Sequence, residues 1–549
     1  MLLVLVLAVE IKASIVVKEI NIDVVETRKL RLFYIPVDRF DQYFHDDFDY
    51  AVKETSSFLN KTYPLADQNQ IVKKTNIPYL TTYDEKRAYG NVFLLWHLYK
   101  RAILTGFSYP PNRVVGVVPA GWFAERGRKI KGFSLPAPLI GHLPAVVVEE
   151  GVTHVVAHEI GHTYGLCDEN NESVWKNQDG GKNRCPNGDD DNDGNLDSSC
   201  LVLPTGCPTK TFGSLINRPE DEVSLYNFMG NAGAPTERWI SKNSYEHLLE
   251  EFSEPRTTQY PSRVLVSGTI DKNGNVEFEN SYELDDGFAT EQLDIPHGDF
   301  SVEILDDVGN TLHDLSFQPS FEIYEIGGDV VETDVTSFAF ILPFTPETKK
   351  ITIEEENVVK AEQVRTEHTP IVDILSPSGG EIFADDFLIE WNASDADGDN
   401  LGYAVLISDD SGESWATLAI DYNETSFLVD VSYLEDSPEY LVKVLATDGM
   451  NTGEDVSDSD FTIDRSPYRL KSAALNRLKN MSTSTCDSWF WWFTKDCRNE
   501  HRINNAIEYL ESSLDEDYWI DDYTLDPDTG DEVFDYEKQA VEELMEIEE

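Results

Sequence analysis

The hydrophobic period of this chain changes partway along it, and that change limits what it can fold into. Up to about Glu254, apolar strand-like runs such as Leu30 to Pro36 and Val114 to Pro119 alternate with helical stretches. In the helical stretch from Tyr83 to Leu104, Tyr89, Val92, Phe93, Leu95, Trp96 and Tyr99 make a broad apolar face. From about Pro255 the pattern becomes short alternating strands: Ser262 to Ile270, a turn at Asp271 to Asn275, Val276 to Tyr282, Phe300 to Ile304 and Phe338 to Leu342. A second strand-rich stretch follows the Pro/Gly/Ser turn Ser376 to Gly380, with strands near Phe387 to Trp391, Tyr403 to Ser408 and Tyr440 to Ala446. One core cannot serve both periods over 549 residues, so several domains are expected.

The expected architecture is multidomain. An α/β (α+β) domain spans 15–254, two β-sandwich modules span 255–367 and 368–464, and a small helical region spans 465–549. In the last region, from Ile503 onward, eighteen acidic residues face one basic residue, Lys538, which reads as a solvated helical face. The opening apolar run from Leu2 to Val9 reads as the core of a secretory signal peptide over 1–14. It lacks the usual basic start, and a first strand is the other reading. No window is long and apolar enough to span a membrane.

Lys+Arg number 43 against 102 Asp+Glu, a net charge of −59. A chain this acidic repels polyanions, which excludes nucleic-acid binding and suits cations, cationic partners or high salt. The even set of Cys167, Cys185, Cys200, Cys207, Cys486 and Cys497 fits disulfide pairing in an oxidising compartment, and with it a secreted or cell-surface location.

The stretch Val155 to Asp168 reads V-V-A-H-E-I-G-H-T-Y-G-L-C-D. On a helix, His158 and His162 leave the same face one turn apart, close enough to share one tetrahedral ion. Glu159 sits beside the first histidine, where a carboxylate can act as general base without being a ligand. Gly165 can take a positive φ and end the helix, so that Asp168 returns an oxygen to the same ion. A chance H-E-x-x-H-x-x-G-x-x-D in a chain of this composition has a probability of roughly 10⁻⁴. His154, four residues earlier, is read as packing, because three ligands along one straight helix converge poorly on an ion.

Between Cys185 and Cys200, Asp189, Asp191 and Asp193 alternate, Gly194 permits a bend and Asp197 follows. The run resembles a calcium loop of the EF-hand or thrombospondin type 3 kind, inserted near 185–200. Its closing position is Cys200 rather than glutamate, which predicts modest affinity. Cys185 and Cys200 can staple the loop and leave Cys167 with Cys207, although four cysteines allow three connectivities. Asp395, Asp397 and Asp399 suit either a calcium ion or a polar turn. Trp391 and Trp415 are expected core anchors of the second module, and Trp489 to Phe493 forms either a small core or an aromatic contact surface.

The segment from His158 to Asp168 resembles the extended zinc motif of the metzincin metalloendopeptidases, with aspartate in place of the commoner third histidine, as in the snapalysin-type branch. The resemblance implies a zincin-type catalytic domain with a methionine turn beneath the metal, for which Met229 in Tyr226 to Gly230 is the candidate. Some members place a tyrosine two residues after that methionine; this chain has Asn231. The resemblance covers about 230 residues. It implies one catalytic Zn²⁺, Glu159 as base, and hydrolysis of protein or peptide substrates without a covalent intermediate, while structural Ca²⁺ is the expectation of the loop 185–200. The β units resemble immunoglobulin-like or fibronectin-like modules of secreted hydrolases, which implies cell-surface or polysaccharide contact. The other reading is a catalytically silent adhesion or scaffold protein.

Overall fold

The computed structural model describes residues 5–11, 14–20, 27, 29–38, 48–65, 70–80, 88–105, 111–125, 130–134, 144–166, 226–227, 238–239, 242–253, 257–259, 262–284, 289–291, 298–325, 330–481 and 495–547. They form a β-rich multidomain protein. Strands β1 (Leu5–Ile11) and β2 (Ser14–Ile20) pair antiparallel, so the opening apolar run lies in a hairpin. None of the described helices is long and apolar enough to cross a membrane.

The first unit is built on β3 (Leu30–Asp38), β4 (Gln70–Lys74), β5 (Tyr79–Leu80), β6 (Arg113–Val118), β7 (Gly132–Ser134) and β8 (Ala145–Glu149). Strand β3 pairs parallel with β4, β5 and β6, and β6 pairs parallel with β8, while β7 runs antiparallel to β8. Strands β6 and β8 are buried at every residue, because helices cover both faces of the sheet. Leu32, Tyr34, Val115, Val117, Val146 and Val148 meet helices α1 (Phe48–Thr62), α3 (Thr153–Thr163) and α4 (Lys242–Ser253) on one face. Phe33, Ile35, Val114 and Val147 meet α2 (Ala88–Leu104) on the other. The two-residue period of the strands divides these side chains between two cores.

The boundary expected near Glu254 does not separate two closed bodies. In the second unit, β9 (Arg263–Asp271), β10 (Val276–Phe278) and β11 (Tyr282–Leu284) form one sheet, and β12 (Phe300–Leu305) with β13 (Thr311–Phe317) begin another. The chain then leaves this sandwich as a hairpin, β14 (Glu322–Glu325) and β15 (Val330–Glu332), and β14 pairs antiparallel with β7 of the first unit. It returns as β16 (Val335–Pro343), which pairs with β9 along its whole length, and finishes with β17 (Lys350–Glu355) and β18 (Val358–Val364). The second unit therefore completes the eight-stranded sheet of the first. Phe300, Phe317, Phe338 and Phe340 fill its own core. The expected turn after Asp271 is present: Gly274 has φ +76°, and Asp271 Oδ1 accepts from the backbone N–H groups of Asn273 and Asn275 at 2.8 and 2.9 Å.

The third unit packs a three-stranded sheet (Ile371–Ser376, Phe387–Ser394, Ser426–Val429) on a larger one centred on Gly402–Ser408 and Ser437–Thr447. Trp391 is buried between them, edge-on to Tyr403 at 5.4 Å. Trp415 is only half-buried and lies under Lys443 Nζ at 4.9 Å. Helices Pro467–Met481, Lys495–Ser513 and Asp531–Met545 end the chain.

Helix α2 is apolar around most of its circumference because it is covered twice. Its inner face meets the first sheet, and Leu265, Tyr282, Leu284, Ala404, Leu406 and Leu445 of the later units share its core cluster. Two cations near its C-terminus clasp the third unit. Lys100, whose side chain is fully buried, pairs with Asp421 at 2.6 Å beneath the Trp96 ring, and Arg101 donates to the carbonyl of Thr417. Tyr282 Oη lies 3.4 Å from the same Asp421 carboxylate. Removing one partner of such a pair strands a buried charge. Lys100→Met is expected to destabilise the protein by about 3–5 kcal/mol. Adding Asp421→Asn should recover part of that loss, because asparagine tolerates the φ of +50° at this position. Chemical denaturation of both variants checks the pair. No recovery in the double variant would show that the loss came from packing alone.

Candidate metal centre

The motif helix α3 lies over the sheet with its whole second half buried. Val155, Val156, Ala157 and Ile160 pack on the sheet, which turns His158, Glu159 and His162 to fixed positions inside the protein at 1%, 0% and 1% exposure. Burial of three polar side chains on one helix needs compensation by partners or by an ion.

The helix stops as its sequence anticipates. Gly165 has φ +87°, Leu166 N–H donates to the Gly161 carbonyl at 3.0 Å and Gly165 N–H to the His162 carbonyl at 2.9 Å. These are the two bonds of a Schellman cap, a turn that a side chain at position 165 would strain. Arg113 and His247 hold the cap, and Tyr63 holds the middle of the helix. Arg113 Nε donates to Thr163 Oγ1 at 2.5 Å and Nη2 to the Thr163 carbonyl at 3.1 Å, with its guanidinium 3.7 Å from the centre of the Tyr164 ring. His247 Nε2 donates to the Tyr164 carbonyl at 2.6 Å, and Tyr63 Oη to the Ala157 carbonyl at 2.8 Å. A cation at a helix C-terminus also complements the exposed carbonyl dipoles. Burial lowers the Arg113 pKa, and neighbouring tyrosines, Tyr164 foremost, oppose that shift.

The two imidazoles converge. His158 Nε2 and His162 Nε2 lie 3.0 Å apart, their rings nearly perpendicular at 87°. Two nitrogens at zinc-bond length on a tetrahedral ion stand about 3.3 Å apart, so a shift of a few tenths of an ångström admits the metal. His162 Nδ1 lies 2.8 Å from the Leu166 carbonyl, which fixes the proton on Nδ1 and leaves the Nε2 lone pair for a metal. The two imidazoles therefore offer two of the nitrogen ligands that a tetrahedral zinc ion takes.

Glu159 lies on the strand side of the same helix. Its Oε2 accepts from Ser134 Oγ at 2.5 Å, both residues being fully buried. Ser134 is 25 residues upstream of Glu159, and nothing in its local sequence marks it. Only the antiparallel register of β7 on β8, Ser134 opposite Val146, brings it under the helix.

Asp168, the calcium-loop residues Asp189, Asp191, Asp193 and Asp197, Met229, and Cys167, Cys185, Cys200, Cys207 and Cys486 lie outside the described residues, as does the aromatic run Trp489 to Phe493. Cys497 lies in the helix Lys495–Ser513, and its side chain is outside them. His154 is the second residue of the motif helix. Asp395, Asp397 and Asp399 bring carboxylate oxygens within 4.8 Å of one another. They also build a turn, since Asp395 Oδ1 accepts from the N–H groups of Asp397, Gly398 and Asp399 at 2.8, 2.9 and 3.2 Å. Asp397 further holds His368 Nδ1 at 2.8 Å, an ion pair that raises the His368 pKa through that hydrogen bond.

No family model matches the chain, and no curated protein matches it. Among solved structures, one described as "Biofilm associated protein - BSP domain" is similar at 16% identity with a TM-score of 0.12. The match covers 33% of this chain and 27% of that one. A TM-score this low carries no statement about shared fold or shared function.

Proposed function

We propose that the chain is a secreted, zinc-dependent endopeptidase whose α/β unit is a zincin-type catalytic domain. The observation that carries this reading is the convergence of His158 and His162 at 3.0 Å on a buried helix with Glu159 between them in sequence. His158 and His162 would hold the zinc, the motif offers Asp168 as the third ligand, and Met229 is the methionine of the turn that the resemblance implies. Bound zinc supplies Lewis-acid polarisation of a scissile carbonyl and makes water more acidic. Glu159 takes a proton from the attacking water and returns it to the leaving amine. Its burial excludes competing solvent, and Ser134 holds its carboxylate. The loop 185–200 binds calcium with modest affinity, and the outer β modules contact a cell surface or polysaccharide.

Metal titration tests the site without reference to substrate. After chelator treatment the full chain is expected to take up one zinc tightly. His158→Ala and His162→Ala should each weaken uptake at least about 100-fold, while Asp397→Asn leaves it unchanged. Tight zinc uptake that survives both histidine changes would place the metal elsewhere and remove the basis of the proposal.

A further inference from the structure

We infer that Ser134 is a positioning residue, one that sets the orientation of the Glu159 carboxylate, and that the second unit holds it in place. The inference rests on the peptidase reading above and adds to it a residue and a role that the motif does not contain.

Three observations meet at β7. Its three residues alternate in direction: Phe133 enters the core shared with α2, edge-on to Phe123 at 6.0 Å, so Gly132 and Ser134 face α3. A side chain at position 132 would place its Cβ 2.7 Å from Val155 Cγ1 and 3.2 Å from Glu159 Cγ. The missing side chain at Gly132 thus lets the helix settle close against the strand. One step along the same face, Ser134 Oγ reaches Glu159 Oε2 at 2.5 Å. A hydroxyl donated to a buried carboxylate is a charge-assisted bond, and it fixes the rotation of that group about its terminal torsion, which is otherwise broad.

Ser134 is itself held from both sides. Its backbone pairs with Val146 of β8 and with Tyr324 of β14, and β14 belongs to the second unit. Without β14, β7 would be a three-residue edge strand free to fray, and the hydroxyl would move with it. The hairpin that leaves the second sandwich therefore has a role at the site: it keeps the donor to Glu159 in register.

The test compares the full-length parent with Ser134→Ala, Ser134→Thr and Glu159→Gln for cleavage of reduced casein in the presence of zinc, with zinc content measured for each. Ser134→Ala is expected to keep its zinc, to hold KM within about twofold and to lower kcat about 10–100-fold. Ser134→Thr keeps the hydroxyl and should restore most of the rate, a rescue that a merely structural loss would not show. Parental kcat in Ser134→Ala, or equal losses in the alanine and threonine variants, would overturn the inference. Should the alanine variant not fold, Ser134→Cys keeps the volume with a much weaker donor. Reduced kcat in it supports the role, and parental kcat refutes it. The two levels separate cleanly. Glu159→Gln as active as the parent would remove the peptidase reading, whereas Glu159→Gln inactive with Ser134→Ala at the parental rate would remove only the role of Ser134.

Discussion

A chain ended after Ser253 is expected to be insoluble or to melt without cooperativity, although it contains the entire zinc motif and all the helices of the first unit. Two losses combine. Removing β14 and β15 leaves β7 as an unpaired edge beside the candidate base, and bare edges invite association between chains. Removing the later units also uncovers the outer face of α2, where Leu265, Tyr282, Leu284, Leu406 and Leu445 are buried in the shared core. Each large apolar side chain returned to water costs about 1.5–3 kcal/mol, so a few of them account for the about 5–15 kcal/mol by which whole domains are stable. Lys100 would lose Asp421 at the same time. Thermal melting by circular dichroism, together with the soluble fraction on expression, measures the outcome. A truncated chain that melts cooperatively at the parental temperature would show that the β units are accessories and not parts of the first core.

That expectation differs from the modular layout the chain suggests when read along its length, and the difference has a physical origin. Local signals were legible. The change of period near Pro255, the turn at Asp271 to Asn275 and the stop at Gly165 each arise from residues within a few positions of one another, and each is present in the structure. The His158 and His162 pair was legible for the same reason, because helical spacing alone puts the two rings on one face. Contacts between distant segments were not. Lys100 and Asp421 are 321 residues apart, and neither carries a local sign of the other. The pairing of β14 with β7 spans two residues on each strand, too short to leave a pattern. Ser134 looks like any strand serine until the register on β8 places it beneath Glu159. Trp415, expected as a core anchor like Trp391, stays half-buried because it lies at the junction with the first unit, packed against the α2 core rather than inside its own sandwich.

The layout also bears on how the site works. Helix α3 is gripped at its C-terminus by Arg113 and His247, at its middle by Tyr63, and along its strand side by Gly132 and Ser134. These contacts come from β6, α4, the residue that follows α1, and β7, so the two imidazoles and the carboxylate are placed by several elements of the first unit at once. The proposed zinc site would need such support, because ligand angles a few degrees off cost affinity and a misplaced base costs rate. The strongly acidic surface, at a net charge of −59, stays outside this arrangement and favours cations near the protein in general.

The most direct test of the central claim is turnover by Glu159→Gln. Glutamine keeps the shape and can still pair with Ser134, yet it cannot accept a proton from water. With zinc and calcium present, the parent is expected to cleave reduced casein. The variant should retain one zinc per chain and lose about 10²–10⁴-fold in rate. Equal turnover by parent and variant, at equal zinc content, would contradict the account.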